Sequence, residues 1–145
     1  PGMAVLQFAF GGGPDNDFLP HHHRRNQVAY TGTHDNNTIV GWWREDLSDK
    51  ERTFARSYLN LPDTNPDDKV HRQALRAMMA SVADRVVTPL QDVMGLGSEG
   101  RINTPGTMGD NWAWRFSPDQ ITEEDKEWLA ELTHLYGRAS GYGDE

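Results

Sequence analysis

The segment Val28-Ala29-Tyr30-Thr31-Gly32-Thr33-His34-Asp35-Asn36 constrains this chain more than any other. A short apolar run enters a Thr-Gly-Thr turn, and the turn ends on a cluster of ionisable and amide side chains. Strand, tight turn, polar cluster is how an α/β scaffold presents a site at the carboxyl end of a parallel strand. Asp35, with His34 and Asn36 beside it, can there share hydrogen bonds with a polyhydroxylated ligand. A turn later, Gly41-Trp42-Trp43 offers flat apolar rings of the kind on which sugars stack. On these residues alone Asp35 reads equally as a helix cap or as a site carboxylate.

The flanking segments repeat the strand-then-helix theme. Ala4 to Phe10 is apolar on both faces, which suits a buried parallel strand, and Gly11-Gly12-Gly13-Pro14 stops it. Asp15 to Asn26 reads as loop, and Gln27 to Thr31 as the second strand. Helical character starts near Thr38 and runs through the Trp pair. Ser48-Asp49-Lys50-Glu51 is a capping box opening a helix that ends near Leu61-Pro62. Asn65-Pro66 reads as an N-cap with proline at the first helical position. Val70, Ala74, Met78 and Val82 then recur at i+4 as one buried stripe.

Arg85 to Met94 reads as a third strand, ended by Gly95-Leu96-Gly97, and Ile102 to Phe116 as a Pro-, Gly- and Trp-rich loop. Thr122 caps a last helix with Trp128, Leu132, Leu135 and Ala139 on one side, and order ends at Gly141-Tyr142-Gly143. Strands separated by helices imply a parallel sheet with crossovers, an α/β class. A closed eight-stranded barrel takes about 250 residues, so three strands in 145 residues make a segment of one. The chain opens Pro1-Gly2-Met3 and enters a strand at once, which reads as a piece of a longer chain, with no second domain.

Charge and composition narrow the partners. A formal net charge of −8 argues against nucleic acid and against an anionic membrane surface, both of which want clustered Lys and Arg. No stretch of about 18 apolar residues exists to span a bilayer. The absence of cysteine removes disulfides, thiolate metal sites and thiol nucleophiles, and fits a cytoplasmic protein.

Several motifs carry less than they first suggest. Gly95-Leu96-Gly97-Ser98-Glu99-Gly100 fits a dinucleotide fingerprint, but loop sequence follows where a phosphate-binding helix must start. Gly11-Gly12-Gly13 lacks the Gly-Lys-Ser/Thr of a phosphate loop. Asp15-Asn16-Asp17 lacks the glycine and terminal glutamate of a calcium loop. His21-His22-His23 are consecutive, so they converge poorly on one ion, and no metal is expected. Asn36-Asn37-Thr38 is a formal glycosylation sequon, with nothing pointing to secretion. Glu99 reads as a structural carboxylate, and Trp112 and Trp114 as core packing beneath the site.

Tyr30 to Asn36 with the following Gly41-Trp42 resembles the 4-α-glucanotransferases (amylomaltase, disproportionating enzyme; glycoside hydrolase family 77), barrel relatives of the α-amylases. Met3 to Phe10, Pro89 to Glu99, Asn103-Thr104-Pro105-Gly106 and Asn111-Trp112-Ala113-Trp114-Arg115 are similar to that family too, in the same order. The resemblance implies a (β/α)8 barrel of the α-amylase type, with this chain as its C-terminal part carrying the sixth to eighth strands. It implies a retaining transfer of α-1,4-glucan segments between maltodextrins, without a cofactor. Asp35 becomes the catalytic transition-state stabiliser, and His34, Asn36 and Asn103 substrate-binding residues. The nucleophile and the acid/base carboxyl, which retaining chemistry needs as a close pair, belong to the missing N-terminal part of the barrel. The chain alone is therefore expected to be inactive. Asn37 stands where the family often has a second Asp. The alternatives left open are an amylase-type hydrolase, in which water is the acceptor, and a non-catalytic glucan-binding module.

Overall fold

A computed structural model of the chain describes residues 2–140, so the expected end of order at Gly141-Tyr142-Gly143 lies outside the described residues. Three strands, β1 (Gly2–Val5), β2 (Gln27–Tyr30) and β3 (Arg85–Val87), form one parallel sheet in the order β1-β2-β3. Ala4 pairs in register with Ala29, and Ala29 with Val86, so the apolar centres of the strands align. The segment joining β1 to β2 carries two short 3-10 turns, Leu6–Phe8 and Pro20–His22. The crossover from β2 to β3 holds α1 (Ile39–Gly41), a π-helical turn (Trp42–Asp46), α2 (Asp49–Tyr58) and α3 (Val70–Ala80). After β3 come α4 (Leu90–Met94) and α5 (Glu123–Leu135).

Two expected strands are shorter than their apolar runs. β1 stops at Val5, and the chain turns through Leu6–Phe8. The carbonyls of Phe8 and Gly11 accept from the Asn16 amide instead of from a neighbouring strand. The third strand likewise ends at Val87. Pro89 has no N–H for a ladder and sits at the start of the one-turn helix α4. Gly95, at φ +71, closes that helix in the left-handed conformation that glycine adopts without penalty.

The helix caps follow local chemistry. Ser48 Oγ accepts the Glu51 N–H at 3.2 Å and donates to Glu51 Oε1 at 2.8 Å. Thr122 Oγ1 accepts from the Asp125 N–H at 3.0 Å. Asn65 does not cap: it takes a left-handed φ of 51°, and Pro66 opens a 3-10 turn before α3 begins at Val70. Val70, Ala74 and Met78 are buried as the stripe requires, but Val82 lies past the helix end and is exposed. On α5, Leu132 is buried, Trp128 half-buried and Leu135 exposed; Ala139 lies beyond the helix.

The main core gathers between the sheet and the crossover helices, around Phe10. Its ring lies 5.5 Å from Trp42, 5.7 Å from Phe54 and 5.8 Å from Tyr58. Trp43 is 1% exposed, and its indole N–H donates to Asp67 Oδ1 at 2.9 Å. The Trp pair is therefore core and presents no stacking surface, a correction to the sequence reading. A smaller cluster of Leu75, Met79, Val93 and Leu132 joins α3, α4 and α5. No helix among the described residues is long and apolar enough to cross a membrane.

Candidate functional site

β2 delivers its carboxyl end directly into the Thr31–Thr38 turn. Thr31 is fully buried, while His34 and Asp35, three and four residues on, are half-exposed. The turn is held locally by Asn36, whose Oδ1 accepts from the Thr33 N–H at 2.8 Å and the Thr33 hydroxyl at 2.9 Å. Asn36 thus acts at once as a turn former, an Asx-type role. Gln7, past the end of β1, donates to the Asn37 carbonyl at 2.7 Å and fixes the turn to the neighbouring strand. Thr38 caps α1 by accepting the Gly41 N–H, and a side chain at Gly41 would collide with Asn37 and Ser98. The helix-cap role that Asp35 could have filled is therefore taken by Thr38.

Each oxygen of Asp35 has its own neighbour. Asn103 Nδ2 donates to Oδ1 at 2.7 Å, from a residue 68 positions away, and His34 Nε2 lies 3.3 Å from Oδ2. The Asn103 hydrogen bond orients the carboxylate, the His34 ring lies beside its other oxygen, and half-exposure leaves it open to a ligand. Arg101 joins the same cluster: its Nη2 donates to the Asp35 carbonyl at 2.8 Å and its Nε to the Asn103 carbonyl at 2.9 Å. Of the four residues singled out from sequence, His34, Asp35 and Asn103 meet through side chains; Asn36 supports the turn beneath them.

Trp112 departs from its expected place in the core. It is 58% exposed, sits at φ +61°, and its ring lies 5.2 Å from that of His34. Trp114 stacks on Phe116 at 5.3 Å instead of packing under the site. Glu99 accepts the Gly97 N–H at 3.0 Å, a structural use of the carboxylate. The three consecutive histidines go to three separate acceptors or donors: His21 to the Tyr58 hydroxyl, His22 to the Pro14 carbonyl and His23 to the Phe18 carbonyl.

Sequence reasoning missed two residues of the site's frame, Arg101 and Asp92. Asp92 is 2% exposed on α4 and accepts from the Thr31 hydroxyl at 2.7 Å and the Ile39 N–H at 2.8 Å. It therefore clamps both ends of the turn that carries Asp35. Burial pushes its carboxyl up to about 6, against the pull of the two hydrogen bonds. A lone acid inside the apolar run Pro89 to Met94 was the available signal. A polar groove of about 450 Å³, lined by Asn37, Asp46, Glu99, Arg101, Thr107 and Asn111 among others, shares Arg101 with the cluster. A larger hollow of about 720 Å³ lies along β3 by Tyr136 and Arg138 and shares no residue with it.

Known proteins resemble this chain in sequence and in fold. The chloroplastic/amyloplastic 4-alpha-glucanotransferase of Arabidopsis thaliana is 48% identical over 143 residues, covering 95% of this chain and 24% of that protein. The 4-alpha-glucanotransferase of Clostridium butyricum is 41% identical over 138 residues, covering 95% of this chain and 28% of that protein. The amylomaltase from Streptococcus agalactiae in complex with acarbose superposes with a TM-score of 0.88 at 34% identity, over 96% of this chain and 28% of that one. The three-stranded sheet is accordingly a segment of a (β/α)8 barrel. The chain spans about a quarter of the length of the curated relatives it matches. The family profile described as 4-alpha-glucanotransferase matches residues 1–122, a span that takes in every residue of the cluster, and the chain belongs to that family.

Proposed function

We propose that residues 1–145 are the C-terminal part of the catalytic barrel of a retaining 4-α-glucanotransferase. The full-length protein cleaves an α-1,4 bond in a maltodextrin or starch-type glucan and passes the glycosyl group to a second glucan. Asp35 is the transition-state stabiliser. Positive charge develops on the sugar as the bond breaks, and a fixed anion aimed at that charge lowers the barrier without reorganising. His34 and Asn103 contact the same sugar from either side of the carboxylate. Asn36 contributes through its amide nitrogen, its oxygen being engaged by Thr33. The nucleophile and the acid/base come from the rest of the full-length chain, and no cofactor takes part. Cytoplasmic residence belongs to the same reading, although the plant relatives are chloroplastic/amyloplastic by name.

The observation that carries the reading is the setting of Asp35 at the carboxyl end of β2: Asn103 donates to one carboxylate oxygen, and the His34 ring lies 3.3 Å from the other. The test is conversion of maltotriose to glucose plus longer glucans by the full-length protein, with and without Asp35→Asn. Ladder formation that disappears in the variant is expected. A variant that retains a tenth of the parent's turnover would reduce Asp35 to a turn residue.

A further inference from the structure

We propose that Arg101 is a positioning residue that sets the Asp35–Asn103 hydrogen bond; the inference rests on the reading of Asp35 just given. The two partners come from different loops, one after β2 and one beyond α4, and nothing in the sheet pairing alone fixes the distance between them. Arg101 does so with a single planar group. Its Nη2 donates to the Asp35 carbonyl at 2.8 Å, and its Nε to the Asn103 carbonyl at 2.9 Å. A guanidinium presents its donors in a rigid fork, so the two carbonyls it holds are held relative to each other. With both backbones pinned, Asn103 Nδ2 reaches Asp35 Oδ1 at 2.7 Å.

Arg101 is itself anchored from behind. It follows the short 3-10 turn Ser98–Gly100, and its own N–H donates to the Ser98 carbonyl at 3.1 Å. The carbonyl of the preceding Gly100 accepts from the buried Gln91 amide at 3.0 Å, which ties the turn to α4. The line of support runs from α4 through Gln91 and Gly100 to Arg101, and from there to both site loops. None of these contacts puts the guanidinium on the Asp35 carboxylate itself, so Arg101 acts through geometry.

The test is a double-mutant cycle in the full-length protein, with Arg101→Met, Arg101→Lys, Asn103→Ala and each Arg101 variant combined with Asn103→Ala. Maltotriose disproportionation and the thermal midpoint are both measured. Arg101→Met is expected to lower kcat/KM on the order of 10²-fold, the scale that a misplaced catalytic group costs. Arg101→Lys, a point charge without the fork, recovers only part of that loss. In the double variants the loss is well short of the product of the single losses, because both changes remove the same hydrogen bond. Fully multiplicative losses would overturn the proposal, as would Arg101→Met activity within twofold of the parent. If Arg101→Met does not fold, the Arg101→Lys cycle reads the same coupling with the same two outcomes. Asp35→Asn separates the two ideas. If it keeps its turnover, the reading of the site fails; if it is inactive while the cycle is multiplicative, only the role of Arg101 fails.

Discussion

The Thr31 hydroxyl donates to Asp92 Oδ2 across 2.7 Å in a place where neither side chain sees solvent to any extent. The other oxygen of Asp92 takes the Ile39 N–H, so one carboxylate spans the entry and exit of the turn that carries His34 and Asp35. Thr88, just past β3, adds its hydroxyl 3.2 Å from that of Thr31. The site turn is thus braced from α4, 61 residues further along the chain.

Removing the brace has a defined cost. Asp92→Ala leaves the buried Ile39 N–H without an acceptor, and an orphaned buried donor costs about 1–3 kcal/mol. Asp92→Asn keeps an acceptor for Ile39 and can donate its amide to the Thr31 hydroxyl, which then turns to Thr88. The thermal midpoint of the full-length protein is expected to fall clearly for the alanine variant and much less for asparagine. Equal midpoints for the two variants would show that the hydrogen bonds contribute little.

The same carboxyl makes a pH prediction when set against His71. Asp92 titrates at about 6 in the fold against an ordinary 3.8, so between these values the native state holds a proton that the unfolded chain has released. Stability contributed by Asp92 therefore falls as pH rises from about 4 to 6. His71, buried against Gly95, is pushed down to about 4 by burial and, less, by the Arg72 charge. The unfolded imidazole takes up its proton below about 6.5 while the native one stays neutral, so its contribution rises with pH across the same window. The two slopes oppose each other. His71→Gln should expose a midpoint that falls from pH 4 to 6, and Asp92→Asn one that rises. Identical pH profiles for the parent and both variants would refute the opposed pair.

Much of this frame was legible beforehand, for reasons that can be named. The capping residues Ser48 and Thr122 act within three residues of themselves, so their chemistry is local and their pattern transparent. The His34-Asp35 turn follows a short apolar strand, so its place at that strand's carboxyl end was legible, while the choice between helix cap and site carboxylate for Asp35 was not. The failures share a cause as well. Leu6, Phe8 and Phe10 alternate as in a strand although the chain turns there, and Leu90, Val93 and Met94 stand at a helical spacing inside a stretch of only five residues; segments this short do not distinguish a strand from a turn of helix. Trp42 and Trp43 are flat rings wherever they sit; only the π-helical turn after α1 decides that Trp42 faces Phe10 and that Trp43 is buried with its indole N–H on Asp67. Trp112 erred in the opposite direction, since its loop carries it out beside His34. Asp92 and Arg101 act across 61 and 66 residues, and no spacing rule links them to Thr31 and Asp35.

For Asp35 the expected loss is large and falls on turnover. On the proposed reading its charge acts as positive charge develops on the sugar, and removing one such electrostatic stabiliser costs on the order of 10²–10³ in kcat. Asp35→Asn preserves the oxygen that Asn103 holds, so binding of maltodextrin should change little while kcat collapses. Parallel kcat and KM measurements on the full-length protein check the split. The 145-residue chain by itself should form no glucan ladder, because retaining transfer takes two carboxyl groups about 5–5.5 Å apart and Glu99 is committed to Gly97.

The chain on its own should also associate. Within the described residues β1 and β3 each pair along one side only, which leaves two rows of ladder N–H and C=O groups unsatisfied by protein. Each such group costs roughly 1–3 kcal/mol if it stays dry, and parallel strands buried on both faces carry apolar side chains along those edges. Met3 on β1 is 56% exposed and Val87 on β3 is 48% exposed, and Val82 and Phe8 add further apolar surface. Open edges flanked by apolar side chains are templates for pairing with another copy. The Arg72 ion pairs to Glu124 and Asp125 and the packing of Leu132 on Leu75 hold α5 to α3, so one face remains covered. Sedimentation of the isolated chain should show concentration-dependent association, with a broad denaturant transition. A monodisperse monomer that unfolds steeply would mean that these residues shield their own edges.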